Sequence, residues 1–385
     1  VKLLHDLHLA YCTNIHRGET WPETWAALKQ FTLAVREQVC PKEFYAIGLR
    51  LSAGAAQELS EARALLEFQR WLQQNNCYVF TINGFPYGQF HGVRVKEKVY
   101  LPDWTSADRV NYTNLLFNLL SRLVPEGMQG SVSTVPLSFK EFGRTDAEAR
   151  QMRDNVFACV EHVDRVCQAT GKHFHLGLEP EPLCVLETTE ETVRFFEKIR
   201  SEHRWDERLV RLLGVNYDCC HMAVEFEDAP RSINRLREAG IKISKIHLSS
   251  ALRLVPTDTA LSALRQFADD TYLHQVVVKD EEGALTRFRD VDDALKSETR
   301  GVEWRVHFHI PLHHAATSLF GNTLDHLRGV LSWLRADPGL CSHLEMETYT
   351  WEVMPPGLKS RSVVEQLTAE YEWCRTELRE RGLAP

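Results

Sequence analysis

The chain is predicted to be an α/β protein closed into a (β/α)₈ barrel, a TIM barrel, with one insertion after its seventh strand. Short β-rich runs alternate with longer stretches of helical period from end to end, the pattern of repeated βα units on a parallel sheet. There are eight such runs, the number that closes a barrel. The 385 residues also fit a barrel that spans roughly 200 to over 400 residues as a single domain.

Taken in chain order, "LAYCTNI" (9–15) leads into "TWAALKQFTLAVREQV", whose apolar residues recur at three- and four-residue intervals. Glu19 to Trp21 marks the start of that first helix. "FYAIGLRL" (44–51) is followed by the amphipathic "AQELSEARALLEFQRWLQQ", and "YVFTIN" (78–83) is the third strand. "SVSTVPL" (131–137) precedes "DAEARQMRDNVFACVEHVDRVCQAT", again of helical period. "HFHLGLE" (173–179), "LLGVNYD" (212–218), "ISKIHLS" (243–249) and, after "TLDHLRGVLSWLRAD", "HLEMETY" (343–349) complete the set.

The interval 251–304 is too long for one βα connection. It holds "YLHQVVV", the acidic turn "KDEEG" and "ALTRFRD", with Gly283 placed for a small hairpin. Following the seventh strand, it is expected to form a lid or rim at the C-terminal mouth of the barrel, within one domain spanning 1–385.

Composition narrows the function. Hydrophobic residues make up 44% and charged residues 25%, the balance of a soluble globular protein, with no apolar run long enough to span a bilayer. "VKLLHDLHLAYC" lacks the order of a secretory signal, so a cytoplasmic location is expected. A net charge of −8 disfavours nucleic acid as partner. Ten cysteines in such a chain are read mainly as core fillers, Cys219 and Cys220 among them. Nothing in the sequence bears on oligomeric state.

Strand parity then selects an inner face. His173, His175, Gly177 and Glu179 alternate with Leu176 and Leu178, Lys245, His247 and Ser249 with Ile246 and Leu248, and His343, Glu345, Glu347 and Tyr349 with Leu344 and Met346. Burying so many ionisable groups unpaired would cost several kcal/mol each. A divalent cation removes that cost. Asp218 ends the sixth strand, so Glu179, Asp218, His247 and Glu347 are the expected ligands of one ion. Three carboxylates and an imidazole suit manganese best, with cobalt, magnesium or zinc as alternatives. Glu181 and Glu345 share the ligands' parity. Glu179 is preferred because it precedes a proline, and Glu347 because it lies nearer the strand's C-terminal end.

"HFHIPLHH" (307–314) brings His307 and His309 to one parity, either as further ligands and oxygen-binding groups or as the solvated face of an extra strand. Asn14 and His16 on the first strand and Asn83 on the third are placed for hydroxyl or phosphate recognition.

"LGLEPEP", "YDCCHM", "KIHLSSA" and "EMETYTW" together resemble the metal-binding strand ends of the xylose isomerase-like TIM-barrel superfamily, which includes sugar epimerases, aldose isomerases and endonuclease IV. The opening "YCTNIHRGETW" with "LEPEP", "FHIPLH" and "ETYTW" further resembles the metabolite-traffic proteins called EboE. The resemblance implies the same four ligands, substrate contact by His221, and Glu179 and Glu347 as the pair that moves a proton next to a carbonyl. It implies a polyhydroxylated, sugar-like ligand. Two other functions are compatible with it, a metabolite-binding or trafficking protein without turnover and an endonuclease IV-like phosphodiesterase. The nuclease is disfavoured because strands two to four offer no additional histidines where its further metal ions would bind.

Overall fold

In the computed structural model, which describes residues 1–359 and 361–385, all eight β runs join one parallel sheet. Its strands are β1 (His8–Tyr11), β2 (Tyr45–Arg50), β3 (Cys77–Asn83), β4 (Gly130–Thr134), β5 (Phe174–Leu178), β6 (Leu213–Asp218), β7 (Lys242–Leu248) and β13 (His343–Met346), five further strands lying between the last two. β13 sits between β1 and β7, and a parallel bridge from Cys12 to Gly48 closes β1 onto β2. The result is a TIM barrel. Helices cover the outside, so these strands are buried on both faces, as parallel sheets require. Among the described residues no helix is long and apolar enough to cross a membrane.

Three strands stop at least three residues earlier than the sequence reading has them. β1 gives way to a 3₁₀ turn over Thr13–Ile15. β4 ends before Pro136, which has no N–H to give to a ladder. β13 ends at Met346 and is followed by a second 3₁₀ turn over Tyr349–Val353. In each case the chain turns at the mouth, where polar side chains take over from ladder bonds.

The helices begin where their caps dictate. Thr145 Oγ1 accepts from Glu148 N, and the Glu148 carboxylate accepts from Thr145 N at 2.8 Å, fixing the start of the helix Asp146–Thr170. Gly171, at φ +71°, ends it. Thr20 and Glu23 start the first helix in the same way, at Trp21.

Between β7 and β13 the chain builds a second, antiparallel sheet. Its strands are β8 (Ala251–Leu254), β9 (Val276–Lys279), β10 (Leu285–Phe288), β11 (Glu303–His309) and β12 (Gly321–Asn322), in the order β10-β9-β11-β8-β12. The expected hairpin is β9–β10. The sheet runs past 304, because β11 continues to His309 and β12 pairs back onto β8. Such long-range pairing leaves no local signal in the sequence.

Parity along β11 explains its composition. Trp304, Val306 and Phe308 enter the sheet's own apolar core with Leu264 and Val276, whereas Arg305, His307 and His309 face the barrel. Arg305 Nη1 donates to the Ala223 carbonyl at 2.6 Å. Arg287 on β10 pairs with Glu225, its Nε donating at 2.9 Å, and with Glu187 at 3.1 Å. The second sheet is thereby tied to the barrel's C-terminal end.

Glu370, on the helix Val363–Glu380, joins three segments near that end. It is fully buried, and its Oε1 accepts from Leu312 N at 3.1 Å and Thr348 Oγ1 at 2.8 Å. Burial pushes its carboxyl up to about 7. Since the folded value exceeds the unfolded one, this group's contribution to stability is complete below the ordinary carboxylate range and is lost as pH rises through about 7. Glu370→Gln should therefore lose less stability than the parent between pH 5 and pH 8, by up to ~3 kcal/mol in urea unfolding. Equal losses in both proteins would show that Glu370 ionises freely.

Candidate metal centre

Four consecutive strands of the barrel, β5, β6, β7 and β13, converge at their C-terminal ends. Glu179 immediately follows β5, held by its backbone N–H to the Thr134 carbonyl at 3.1 Å, with Pro180 breaking the ladder behind it. Asp218 is both the last residue of β6 and the N-cap of the short helix Cys219–Val224. Its Oδ1 accepts from His221 N at 2.9 Å and from Ser249 Oγ at 2.8 Å. That leaves Oδ2 for the site, so the D-x-x-H spacing is a capping geometry as well as a chemical one. His247 lies within β7, in register with Asp218 on one side and Glu345 on the other. Glu347 follows β13.

One donor atom from each of Glu179, Asp218, His247 and Glu347 lies within 4.8 Å of all the others. From His247 Nδ1 the distances are 3.0 Å to Glu179 Oε1, 3.2 Å to Asp218 Oδ2 and 3.2 Å to Glu347 Oε2. All four residues are buried. Glu179 Oε2 has no hydrogen-bond partner. A tight, oxygen-rich donor set with an unpartnered carboxylate oxygen fits a hard or borderline divalent cation.

Behind these groups stands a second layer. His247 Nε2 lies 2.8 Å from Glu345 Oε2, the same oxygen that accepts from Lys245 Nζ at 2.6 Å. The carboxylate thus orients the imidazole, as outer partners of metal-bound histidines do. Room for it comes from Gly48 on β2, where a Cβ would overlap Glu345 Oε1 and lie 2.7 Å from the Tyr11 carbonyl. Burial raises the Glu345 carboxyl, but Lys245 and His247 outweigh it and hold the group at about 2. Burial likewise disfavours the charged His247, yet Glu347 and Glu179 raise it well above the ordinary imidazole value. Asp218 is held well below the usual carboxylate range because His221, His309 and His247 override its burial.

Three more imidazoles complete the mouth. In each, Nδ1 donates to a carbonyl-type oxygen: His221 to Pro180 O at 3.0 Å, His307 to Gln275 Oε1 at 2.7 Å, and His309 to Glu347 O at 2.8 Å. The Nε2 lone pairs are therefore bare, and those of His307 and His309 are buried without a partner. Burial drops His221 to about 4 and His307 well below its ordinary value, so both are neutral acceptors. Asp218, His221 and His309 form a second close donor group, and Cys220, His307 and His309 a third. Cys220, like the other nine cysteines, is free and buried.

Asn14 and Asn83, expected at hydroxyls or phosphate, line the cavity and their amides act on Glu347. Both donate to its Oε1, at 2.8 and 3.0 Å. His16 stays outside: its Nε2 meets Tyr11 OH at 2.9 Å and its ring stacks on Phe31 at 4.6 Å. Of the two carboxylates that share the ligands' parity, Glu345 is the partner of Lys245 rather than a member of the four-atom group. Glu181 lines the cavity above the group, accepts from Tyr100 OH at 2.6 Å, and burial pushes it up to about 8. Sequence reasoning missed Tyr100, Phe90 and Tyr272, which line the same cavity. They lie on connections, where no strand parity marks an inward side chain.

No family model and no curated protein matches the chain. Solved structures do match along its length. The IolI protein with a bound zinc atom superposes with a TM-score of 0.52 at 12% identity, covering 97% of this chain and 99% of that one. A D-tagatose 3-epimerase-like protein gives 0.51 at 10% identity, covering 98% of each chain. An L-ribulose 3-epimerase gives 0.51 at 12% identity, covering 98% of this chain and 96% of that one. The chain thus shares the TIM-barrel fold of these proteins, and at these identities the likeness speaks to fold alone.

The buried pair behind the site is open to a direct test. Lys245→Met leaves Glu345 facing three other carboxylates with its principal cation gone, and should cost about 3–5 kcal/mol. Adding Glu345→Gln should recover most of that loss. Urea unfolding of the two single variants and the double variant gives the coupling, and additive losses would show that the pair does not act as a unit.

Proposed function

We propose that this protein is a divalent-metal-dependent isomerase or epimerase that moves a proton on a carbon next to a carbonyl of a small, sugar-like ligand. The observation that carries the reading is the convergence of Glu179, Asp218, His247 and Glu347 within 4.8 Å, two of them carboxylates from β strands on opposite sides of β6 and β7. That the IolI protein of the same fold carries zinc, and that other proteins of this fold include an L-ribulose 3-epimerase and a D-tagatose 3-epimerase-like protein, supports it. We assign the four residues as the ligands of one ion and prefer manganese, for the oxygen-rich donor set. A divalent cation held there polarises a carbonyl and attracts the negative charge that develops on its oxygen.

The side chains then divide the remaining work. Glu179 presents the carboxylate oxygen without a partner, so it is the group assigned to take the proton. Glu347 has its Oε1 engaged by Asn14 and Asn83, which fixes its plane and leaves Oε2 to return a proton from the other side. The bare Nε2 atoms of His221, His307 and His309 accept hydrogens from ligand hydroxyls, orienting the carbon that reacts. The second sheet, which supplies His307 and His309, serves as a wall or lid that limits water at the mouth.

Protein reconstituted with manganese should hold about one ion per chain, and His247→Ala or Asp218→Ala should weaken that binding at least tenfold by elemental analysis after dialysis. In deuterated water, metal-loaded protein offered hydroxyketones should label one carbon of the ligand. Glu179→Gln and Glu347→Gln should lower the labelling rate by roughly 10²–10⁴-fold while retaining the shape of the site. A ligand that binds through the metal and never gains deuterium would instead identify a metabolite-binding protein without turnover.

A further inference from the structure

The cavity above the four donor residues has two unlike ends. One is the floor of carboxylates and imidazoles already described. The other is apolar, and it comes from three separate segments: Phe85, Phe90, Val95 and Val99 from the connection after β3, Tyr272 and Leu273 from the approach to β9, and Tyr349 after β13. Phe90, Tyr272 and Tyr349 pack against one another with ring centroids 5.0 to 5.3 Å apart. Val95 N and Lys96 N both donate to the Thr271 carbonyl, at 2.9 and 2.8 Å, so two of the segments are pinned together.

Among the described residues this upper wall presents no uncommitted cationic side chain to an anion. The one cationic side chain on its described lining is Lys96. All three ammonium hydrogens are spent, on the carbonyls of Asp269 and Tyr272 and on Asp290 Oδ2, each at 2.6 Å. Arg50 lies behind Phe90 and off the lining; its Nη1 and Nη2 are bound to the carbonyls of Gly18 and Gly88 and to Glu19, and its buried Nε has no partner. Nor does the wall serve a free sugar well, because ring hydroxyls set against Val95, Val99 and Leu273 would be buried without partners. The space between the walls is about 510 Å³ counting the mouth, within the range of sites that hold one small molecule.

We infer that the ligand is an uncharged hydroxycarbonyl compound whose far end is a flat, hydroxyl-poor ring, rather than a sugar phosphate or a free sugar. The inference rests on the proposed hydroxycarbonyl chemistry for the orientation of the ligand, its oxygens at Glu179 and Glu347 and its ring against Phe90 and Tyr272. Aromatic faces stack on such a ring, and the aliphatic side chains cover its edges.

Three probes separate the possibilities: 2-hydroxyacetophenone, D-fructose and dihydroxyacetone phosphate, titrated calorimetrically into the manganese-loaded protein and into the metal-free protein. The expected result is that 2-hydroxyacetophenone binds at least tenfold more tightly than either of the others. Phe90→Leu, and independently the near-isosteric Val99→Thr, should each shrink that preference at least threefold. Tighter binding of the phosphate or of fructose, no binding of 2-hydroxyacetophenone, or a preference that neither variant changes would overturn the inference. Deuterium exchange on the same samples judges the proton-transfer reading separately. Exchange without preference for the aryl ketone sinks the ligand class alone, and preference without exchange sinks the proton transfer alone.

Discussion

The charge at the C-terminal end of the barrel is the constraint to which the rest of the structure answers. Glu179, Asp218, Glu345 and Glu347 are all nearly inaccessible to water, against one lysine, Lys245, and three imidazoles, His247 within 3.2 Å and His221 and His309 at 3.9 and 3.8 Å. Ionised groups at such depth cost several kcal/mol each unless opposite charge or hydrogen bonds meet them. Much of the local architecture supplies that compensation. Lys245 neutralises Glu345, two asparagine amides meet Glu347, and a helix N-terminus meets Asp218. What remains is a surplus of carboxylate around one imidazole nitrogen, the arrangement that a divalent cation resolves.

Because a parallel barrel strand has a strict period of two, most of this arrangement was legible in the sequence. The inward polar series in β5, β7 and β13 could be followed residue by residue, and the acid at the end of β6 fell into line with them. What could not be read was which of several groups with the same parity does what. Glu345 and Glu347 differ by one full period, and only the three-dimensional partners, Lys245 for one and Asn14 with Asn83 for the other, tell them apart. His16 sits beside Asn14 in the sequence, yet a 3₁₀ turn between β1 and the first helix rotates it onto Tyr11 and Phe31. The extent of the second sheet was hidden for a related reason, since β12 is two residues long and exists only through its pairing with β8.

The second sheet changes what the barrel alone could offer. It contributes His307 and His309, whose Nε2 atoms are unpartnered, and it does so through a strand whose other face is anchored in a separate apolar core around Trp304 and Phe308. The polar face can therefore be held firmly without disturbing the barrel's own packing. The rings are fixed by hydrogen bonds from Nδ1, to the Gln275 side chain for His307 and to the Glu347 backbone carbonyl for His309. Burial holds His307 well below its ordinary value, so it is a neutral acceptor in a fixed orientation.

The two carboxylates assigned to proton transfer are consequently not equivalent, although they are close to symmetric about His247. Glu347 is bound from several directions: amides on Oε1, and His309 through its backbone carbonyl. Glu179 has one oxygen beside His247 and the other free. A base must change its protonation state, and each hydrogen bond donated to its anionic form makes that change harder. The less encumbered carboxylate is then the better first acceptor, and the more encumbered one the better fixed point against which the ligand is oriented. Under the proposed function, the amides of Asn14 and Asn83 on Glu347 would leave Glu179 as the first acceptor of the proton.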